Sequence, residues 1–407
     1  MTAQLLILGN GFDLQCGLQS SYKSFFRQEI LDITTESFGI IQLKPGVTGF
    51  WENLLLEYRK INEDEDYKWC VVETIIKDTL WRIYYGESKH VTDINNGFGM
   101  QAIECEKFYS INECLEDISD PIDKYIMRYC FRFFDRLGPE YKYISDLEKL
   151  TLLFERLLQE LTTFERRFCK YLKGILNNNY IISAVDLLAT LTGFSKRKYE
   201  VISDIIDDRK KLITNGGEAR YEKGLTNDFS NLKSTYILSF NYTSIFDLLK
   251  IKSPCHYNNV HGKLCNEDCS EGCASSNIIF GIDDKIIQSQ DEYNDLRIFS
   301  KTYRKMSATN APERILPKND ELVDIIFYGH SLSEADYSYF QSIFDYYNLY
   351  SNNSVSLHFY YSENYNPTDA VYRLINEYGK TLTNKDQGKN LMHKLLLENR
   401  LKIAPIF

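Results

Sequence analysis

Short, continuous apolar runs near the two ends of the chain are the feature that most limits its possible folds. Each run spans too few residues for a helix of ordinary length. Runs of this kind suit strands that are buried on both faces, as in a parallel sheet covered by helices. The predicted strands are Leu5–Leu8, Tyr236–Phe240, Ile278–Phe280, Ile325–Tyr328 and Val355–Tyr361.

The middle of the chain differs from both ends, because it has few strand signals and many long amphipathic patterns. The clearest pattern predicts a helix from Ser145 to Leu176, in which Ser145 and Glu148 have the spacing of a capping box. Apolar residues recur along it every three or four positions, as on the buried face of a helix. They are Leu150, Phe154, Leu157, Leu161, Phe164 and Phe168.

The chain is therefore predicted to be an α/β protein with a parallel sheet and a large all-helical insertion. In the sheet part, helix-like stretches at 244–250 and 335–350 alternate with the strands, which is typical of this class. We place the sheet domain at residues 1–33 and 232–407 and the helical insertion at residues 34–231.

Composition limits the partners of the chain. A net charge of −10 and a pI near 5.3 argue against a broad electrostatic contact with nucleic acid. The short basic run Lys301–Ser307 is interpreted as a solvated loop. We expect a cytoplasmic protein without a membrane contact, because no segment has the length of a membrane span and the opening lacks a signal peptide's features. The ten cysteines are mostly scattered, which favours reduced, buried thiols over a disulfide framework.

The first predicted strand ends at Gly9, Asn10 and Gly11. Glycine lets a backbone turn sharply and approach a ligand, and the start of a helix suits a phosphate. The full G-x-G-x-x-G spacing is not present, since Leu14 stands where the last glycine is required. A plain tight turn and a nucleotide-binding loop both stay open on this motif alone. Its place at a strand tip of an α/β sheet is where ligands bind in such folds.

Polar residues also follow the next strands. The amide of Asn241 offers a donor and an acceptor to ribose hydroxyls, or it caps the following helix. His261 and Gly262 follow at a distance that leaves room for one helix and a return to the same sheet edge. A histidine at such a place is either structural or catalytic.

The strand at Ile325–Tyr328 ends in Gly329–Ser331, which would face the same crevice. Ser333 and Asp336 beyond it have capping-box spacing, so part of this motif indicates the start of a helix. Polar motifs at several tips of one predicted sheet edge together indicate a binding site there.

The order of these motifs resembles that of the sirtuins. A sirtuin presents G-A-G-x-S near its start, then T-Q-N-x-D, H-G, a cysteine-bearing zinc module, F-G-E and G-T-S. This chain presents GNGFD, SFNYT, VHG, a short cysteine-bearing stretch, IIFGIDD and FYGHS in the same order. More closely, its opening LGNGFDLQCGLQSSYKSFF and its stretch GHSLSEADYSYF resemble the AbiH family of bacterial abortive-infection proteins, which act in phage defence. The resemblance covers both ends of the chain well and the helical middle poorly.

The resemblance implies a sirtuin-like Rossmann sheet that binds NAD at its carboxyl edge. In sirtuin-like NAD hydrolases the motif asparagine and the H-G histidine carry the chemistry, and these map to Asn241 and His261. Asp13 stands in the place of a sirtuin serine, with a role toward the ribose or water. The residues that map to NAD contacts are Gly9, Asn10, Gly11, Phe12, Gly262, Gly329, His330 and Ser331.

The implied chemistry suits these residue types. Cleavage of the bond between nicotinamide and ribose builds positive charge on the ribose, much as in glycoside hydrolysis. Nicotinamide leaves as a neutral molecule, so a general acid is not obligatory. Asn241 would hold the ribose and His261 would act as the base.

Two departures from the sirtuin pattern matter. Thr243 stands where T-Q-N-x-D has its aspartate, which leaves the placement of nicotinamide open. Cys265, Cys269 and Cys273 lie at four-residue steps, whereas a sirtuin zinc site uses two C-x-x-C pairs. We expect no metal, with zinc bound by these thiols as the alternative.

The leading hypothesis is an effector of phage defence that hydrolyses NAD to nicotinamide and ADP-ribose and is activated on infection. Its partners would be copies of itself, a protein of the same defence system, or a phage-derived trigger. The alternative is a non-catalytic module that senses NAD or ADP-ribose, and His261→Ala separates the two because it abolishes only turnover. A protein deacylase is a third hypothesis, and it would release nicotinamide only with an acyl-lysine peptide. A nuclease is a fourth, but solvated helix ends explain Asp207–Asp208 and Asp283–Asp284 better.

Overall fold

The computed structural model describes residues 3–32, 42–61, 69–86, 97–192, 235–248, 255–264, 278–284, 295–308, 315–362 and 365–406. The chain forms two compact units. The sheet unit comprises Met1–Ser20, Leu172–Ile278 and Thr309–Phe407. The helical unit comprises Ser21–Tyr171 and Ile279–Ala308.

One parallel sheet organises the sheet unit. Its strands are β1 (Ala3–Leu8), β2 (Thr235–Ser239), β3 (His256–Asn259), β4 (Leu322–Tyr328), β5 (Ser356–Tyr361) and β6 (Leu401–Pro405). The six strands lie in the order β3-β2-β1-β4-β5-β6, and every neighbouring pair is parallel. The strand order reverses between β1 and β4, so the carboxyl ends of these two strands lie at a topological switch point.

Helices connect these strands and build the helical unit. In chain order, the α-helices of the described ranges are α1 (Gly11–Gln15), α2 (Tyr22–Phe25), α3 (Phe50–Ile61), α4 (Trp69–Tyr85), α5 (Phe98–Phe108), α6 (Ile111–Cys114), α7 (Pro121–Asp135), α8 (Asp146–Ile175), α9 (Asn178–Thr192), α10 (Ile245–Leu248), α11 (Lys301–Ala308), α12 (Tyr337–Tyr346), α13 (Thr368–Thr381) and α14 (Lys385–Leu397). A π-helical turn spans Phe26–Ile30, and 3₁₀ turns span Pro139–Tyr143, Asp295–Phe299 and Glu334–Asp336.

Side chains of β1 alternate between two cores, one on each face of the sheet. Leu5 and Ile7 pack in a core with residues of α12, α13 and α14. Leu6 and Leu8 pack in a core with residues of α9 and α10. Each of the four side chains is at most 1% exposed, and burying one contributes about 1.5–3 kcal/mol. Burial on both faces explains why the strand consists of consecutive apolar residues.

The structure confirms a parallel α/β sheet and most of its predicted strands. The confirmed predictions are Leu5–Leu8, Tyr236–Phe240, Ile325–Tyr328 and Val355–Tyr361, with ends shifted slightly. The strand predicted at Ile278–Phe280 is wrong, because the backbone there pairs with no strand in the described chain. The N–H of Phe280 instead donates to Oε1 of Glu165 (2.6 Å), within the helical unit.

The long helix of the middle region is confirmed as α8. The backbone N–H of Ser145 donates to the Glu148 carboxylate (2.7 Å), and the N–H of Glu148 donates to the Ser145 hydroxyl (3.2 Å). The predicted capping box therefore forms. The six apolar residues predicted to share a face are buried, each at most 1% exposed.

The compact units do not follow the predicted domain boundaries at residues 33 and 231. Leu172–Thr192 belongs to the sheet unit, where α9 packs on the sheet, although it lies inside the predicted insertion. Ile279–Ala308 belongs to the helical unit, although it lies inside the predicted sheet domain. None of the described helices has both the length and the apolar character of a membrane span.

The interpretation of Lys301–Ser307 as a solvated loop is wrong. The run forms α11, and Lys301 is buried beside Glu73, with a closest N–O distance of 2.7 Å. Arg304 reaches both carboxylate oxygens of the buried Glu165 (2.6 and 2.9 Å). These cations therefore neutralise carboxylates within the helical unit.

The expectation of reduced thiols is wrong for one pair of cysteines. Cys105 in α5 and Cys114 in α6 form a disulfide, with their Cα atoms 6.2 Å apart. The spacing of the two cysteines did not predict the disulfide, because they come together only through the short turn that joins α5 to α6. Among the described residues, Cys16, Cys130, Cys169 and Cys255 lie outside any disulfide.

Candidate functional site

The loops that follow β1 and β4 meet at the switch point and are joined by backbone hydrogen bonds. The N–H of Gly9 donates to the carbonyl of Tyr328 (3.0 Å), and the N–H of Gly11 donates to the carbonyl of Gly329 (2.7 Å). A Cβ on Gly9 would lie 2.4 Å from the Cα of His330, and one on Gly11 would lie 2.7 Å from the Cα of Gly329. Close contact between the two loops therefore accounts for both glycines.

The rest of this loop pair is also well packed. Gly329 has φ +68°, and a Cβ there would lie 2.4 Å from the backbone nitrogen of Phe12. The Oδ1 atom of Asn10 accepts a hydrogen bond from the hydroxyl of Ser20 (2.7 Å). Phe12 is 2% exposed, and its ring lies edge-to-face against Tyr328. The ligand contacts expected of these residues stay predictions.

Asp13 lies beneath the loops in a buried cluster with two hydroxyl groups. The Tyr180 hydroxyl donates to Oδ1 of Asp13 (2.7 Å), and the Thr243 hydroxyl lies 3.0 and 2.8 Å from its two oxygens. Burial raises the pKa of Asp13 from 3.8 to about 6, against the lowering effect of both hydrogen bonds. The cluster links the β1 and β2 loops to α9. A role of Asp13 toward ribose or water stays a prediction.

Asn241 follows β2 in a loop held by another asparagine. The side-chain amide of Asn259 donates to the carbonyls of Asn241 (2.7 Å) and Thr243 (3.0 Å). The hydroxyl of Ser244, and not Asn241, caps α10 by accepting from the N–H of Asp247 (3.3 Å). The helix-cap interpretation of Asn241 is therefore wrong.

The side-chain oxygen of Asn241 is buried and has no hydrogen-bond partner among the described residues. Asn241 is 4% exposed. Leaving a buried acceptor unsatisfied costs about 1–3 kcal/mol. Such a group at a sheet edge is suited to accept a hydrogen bond from a bound molecule.

His261 lies in the loop after β3 and contacts a carboxylate from the other side of the switch point. Its Nε2 atom lies 3.1 Å from Oδ1 of Asp336, which immediately precedes α12. His261 is 2% exposed and Asp336 is 6% exposed. Gly262, with φ +83°, makes the turn after the histidine.

His330 contacts the same carboxylate. Its Nε2 atom lies 3.5 Å from Oδ2 of Asp336, while its Nδ1 atom accepts a hydrogen bond from the N–H of Leu332 (2.9 Å). Leu332 has φ +55°, a strained value for a leucine, which turns its N–H toward the ring. We call His261, Asp336 and His330 the histidine–aspartate cluster.

Aromatic rings surround the two histidines. Phe240 lies edge-to-face against His261 and His330, with ring centroids 5.3 and 4.5 Å apart. Phe340 contacts His330 at 5.0 Å, and Tyr339 contacts His261 at 5.9 Å. These contacts fix the orientation of both imidazoles in surroundings of low polarity.

Asp336 is the site residue that sequence reasoning missed. The predicted capping box of Ser333 and Asp336 is wrong, because the Ser333 side chain makes no capping hydrogen bond and the Asp336 carboxylate faces the histidines. The GHSLSEAD stretch held the only signal, a carboxylate six residues after a histidine at a strand tip. Ser331, in contrast, is exposed, and its ligand contact stays a prediction.

The remaining candidates are the proposed zinc ligands and two acidic pairs. The zinc candidates Cys265, Cys269 and Cys273 lie outside the described residues, as do Asp207 and Asp208. In the part of the chain that is described, no group of three or more histidine, cysteine or acidic side chains could hold a metal ion.

The acidic pair proposed for a nuclease belongs to the helical unit. Asp283 is buried, and Asp284 contacts the hydroxyl of Ser300.

The fold and the site define an α/β protein with a parallel sheet, whose carboxyl edge carries a buried histidine–aspartate cluster and an unsatisfied asparagine. A family model, described as bacteriophage abortive infection AbiH, matches residues 5–361. The chain therefore belongs to the AbiH family, which indicates a role in phage defence. Comparisons with curated proteins and with solved structures gave no match.

Proposed function

We propose that the sheet unit hydrolyses NAD to nicotinamide and ADP-ribose at the carboxyl edge, as the effector activity of a phage-defence protein. The strand order supports this proposal, because 3-2-1-4-5-6 is the order of dinucleotide-binding doubly wound sheets. In those folds the ligand lies at the switch point, which is where the β1 and β4 loops meet. The sirtuin-like arrangement belongs to the same proposal.

The observation that carries the proposal is the buried Asn241 oxygen beside the histidine–aspartate cluster. Asn241 immediately follows Phe240, whose ring contacts both histidines, so the amide and His261 belong to one site. A ribose hydroxyl would donate the hydrogen bond that the Asn241 oxygen lacks. His261, paired with Asp336, would supply the base.

The proposed reaction breaks one bond and forms another. The bond between nicotinamide nitrogen and ribose C1′ breaks, and its electron pair leaves with nicotinamide, which becomes neutral. The ribose carbon carries the developing positive charge, as in glycoside hydrolysis. A water oxygen then bonds to C1′, and His261 accepts the water proton. The products are nicotinamide, ADP-ribose and one proton.

The test is nicotinamide release from NAD by the purified protein, with Asn241→Ala and His261→Ala beside the wild type. The matched control is His358→Ala, because His358 also pairs with a carboxylate in this unit, Asp324 at 2.9 Å, away from the loops of the site. We expect both site variants to lose on the order of 10²-fold or more in rate. His358→Ala should keep the wild-type rate. Equal rates in all four proteins would refute the proposed site.

The protein concentration should be varied in this experiment. A NAD hydrolase must stay inactive in an uninfected cell, so activation by self-association, by a partner protein or by a phage-derived trigger follows from the function. A rate of nicotinamide release that rises more than proportionally with protein concentration would identify activation by self-association. Wild-type protein that releases no nicotinamide but binds NAD by calorimetry would favour the sensing module instead.

A further inference from the structure

Three successive carbonyls of the loop after β2 accept hydrogen bonds from β3 and the loop that follows it. The side-chain amide of Asn259 donates to the carbonyls of Asn241 (2.7 Å) and Thr243 (3.0 Å). The backbone N–H of Leu264 donates to the carbonyl of Tyr242, which lies between them (2.8 Å). The backbone that carries the Asn241 side chain is therefore fixed to the neighbouring segment of the sheet edge.

The two acceptors decide the orientation of the Asn259 side chain. A carbonyl oxygen accepts and does not donate, so the group that faces Asn241 and Thr243 is the NH₂ of Asn259, and its two hydrogens suit two acceptors. All three residues are buried, so water does not readily replace the amide. A side chain without donors at this position would leave both carbonyls to find new partners, and the loop would shift.

The backbone of Asn259 begins the turn that carries His261. The N–H of Gly262 donates to the carbonyl of Asn259 (3.4 Å), and Gly262 has φ +83°, so the chain reverses directly after the histidine. Asn259 thus contacts both sides of the proposed site. Its side chain holds the backbone of Asn241, and its own carbonyl closes the turn of His261.

We propose that Asn259 is a positioning residue, which holds the Asn241 side chain at a fixed place relative to His261. The side-chain oxygen of Asn241 has no hydrogen-bond partner among the described residues, although the backbone beside it is fully held. An acceptor that is already in place when a ligand arrives loses little conformational freedom on binding. A ribose hydroxyl bound to this oxygen would then bring the ribose to a defined position beside His261. The role in hydrolysis rests on the proposed function, whereas the hold on Asn241 does not.

The first experiment needs neither substrate nor turnover. Hydrogen exchange measured by mass spectrometry compares the peptide that covers residues 240–244 in the wild type and in Asn259→Leu, a side chain of similar size without donors. We expect exchange to be on the order of 10-fold faster in the variant, and unchanged in peptides from β5. Tyr257→Phe is the matched control, because it removes a donor to the carbonyl of Thr243 only (3.1 Å) and should accelerate exchange less. A wild-type exchange rate in Asn259→Leu would overturn the proposal, and Asn259→Ala replaces it if the leucine variant does not fold.

The second experiment is a double-mutant cycle on nicotinamide release from NAD. Asn259→Leu should lower kcat/KM on the order of 10-fold, and the double variant with Asn241→Ala should match Asn241→Ala alone within about 2-fold, because Asn259 acts through Asn241. Asn319→Leu is the control. The Asn319 amide also donates to a carbonyl, that of Tyr346 (3.3 Å), but it precedes β4 and lies away from the carboxyl edge, so kcat/KM should stay at the wild-type value. Additive losses in the double variant would indicate a general structural role and overturn the positioning role.

The two experiments separate the positioning role from the proposed function. Wild-type protein that neither cleaves nor binds NAD would refute the proposed function, and the exchange rates would still decide whether Asn259 holds Asn241. Turnover that is lost in Asn241→Ala but unchanged in Asn259→Leu would refute the positioning role and leave the function standing.

Discussion

Asp13 is a carboxyl group whose protonation is tied to folding. Its pKa is about 6 in the folded protein and 3.8 when freely hydrated, because burial disfavours the charged form. The folded state therefore binds the proton more tightly than the unfolded state. The resulting stability is fully present below about pH 4 and is lost as the pH rises through about 6.

The prediction is that Asp13→Asn removes this pH dependence. From pH 4 to pH 7.5 the wild type should lose about 2–2.5 kcal/mol of unfolding free energy relative to the variant, since each pKa unit corresponds to about 1.4 kcal/mol and part of the effect lies below pH 4. This difference in unfolding free energy is measured by denaturant unfolding at several pH values, with circular dichroism as the signal. Asp320→Asn, at an exposed aspartate of the same unit, is the control and should keep the wild-type profile. Parallel profiles for wild type and Asp13→Asn would contradict the raised pKa.

Gly329→Ala tests the contact between the β1 and β4 loops. The added Cβ would meet the backbone nitrogen of Phe12 at 2.4 Å, and the residue would also have to keep φ +68°. Gly17→Ala is the matched control, because Gly17 has φ +83° but open space around it. The positive φ alone costs about 1–2 kcal/mol, so thermal unfolding should show that loss in Gly17→Ala and a larger one in Gly329→Ala. Equal losses would mean that the two loops separate easily.

At the level of single residues, the sequence predicted which positions reach the sheet edge but not which of them pair. Asn241 and His330 follow buried strands and His261 follows the edge strand β3, and a parallel sheet brings the ends of its strands to one edge. The partner of both histidines, Asp336, had a local interpretation as a helix cap that was wrong. Side-chain pairing across loops depends on backbone directions that sequence spacing does not contain.

Among the elements, continuous apolar strands and amphipathic helices were predictable because burial fixes their residue types. β3 was missed because its residues, His256–Asn259, are polar or aromatic and lie at the edge of the sheet. The run Ile278–Phe280 is apolar because it is buried, yet its backbone makes no strand pairing in the described chain. A short apolar run shows burial, and only the backbone partners decide whether it is a strand.

Glu165 in α8 is hydrogen-bonded to this run and to α11. It is fully buried, and it accepts hydrogen bonds from Arg304 and from the backbone of Phe280. Glu165→Gln keeps the size but leaves the Arg304 charge without its counterion. We expect a loss of about 3–5 kcal/mol, measured by denaturant unfolding with tryptophan fluorescence.

Glu57→Ala is the control for this loss. It removes an exposed pair with Lys60 in α3 of the same unit, worth about 0–1 kcal/mol. A Glu165→Gln variant as stable as the wild type would show that Glu165 is protonated in the folded protein.

The two compact units of the molecule are not two continuous stretches of the chain. The sheet unit collects three separate segments, and the helical unit collects two. The sequence predicted one contiguous insertion, because strand signals cluster at the chain ends. Which unit a helix such as α9 joins depends on the surface that its apolar face covers, here Tyr180 to Leu191 on the sheet. Periodicity predicts that such a face exists but not its partner.

This division allows the unfolding of each unit to be followed separately, by tryptophan fluorescence for the helical unit and by ligand binding for the sheet unit. The three tryptophans, Trp51, Trp69 and Trp81, all belong to the helical unit, whereas the proposed NAD site belongs to the sheet unit. A ligand that binds only the folded sheet unit stabilises it by RT ln(1 + [L]/Kd). ADP-ribose, the proposed product, is the ligand to use because it cannot be turned over.

The last prediction concerns hydrogen exchange measured by mass spectrometry. With ADP-ribose at 100 times its Kd, peptides from β1, β2 and β4 that exchange by unfolding of the sheet unit should slow by up to about 100-fold. Peptides from α3 and α7, and the tryptophan-detected unfolding midpoint, should change far less. Asn241→Ala should lose the slowing, because the oxygen that would accept from the ribose is gone. Slowing confined to the helical unit would place the nucleotide there and refute the site at the sheet edge.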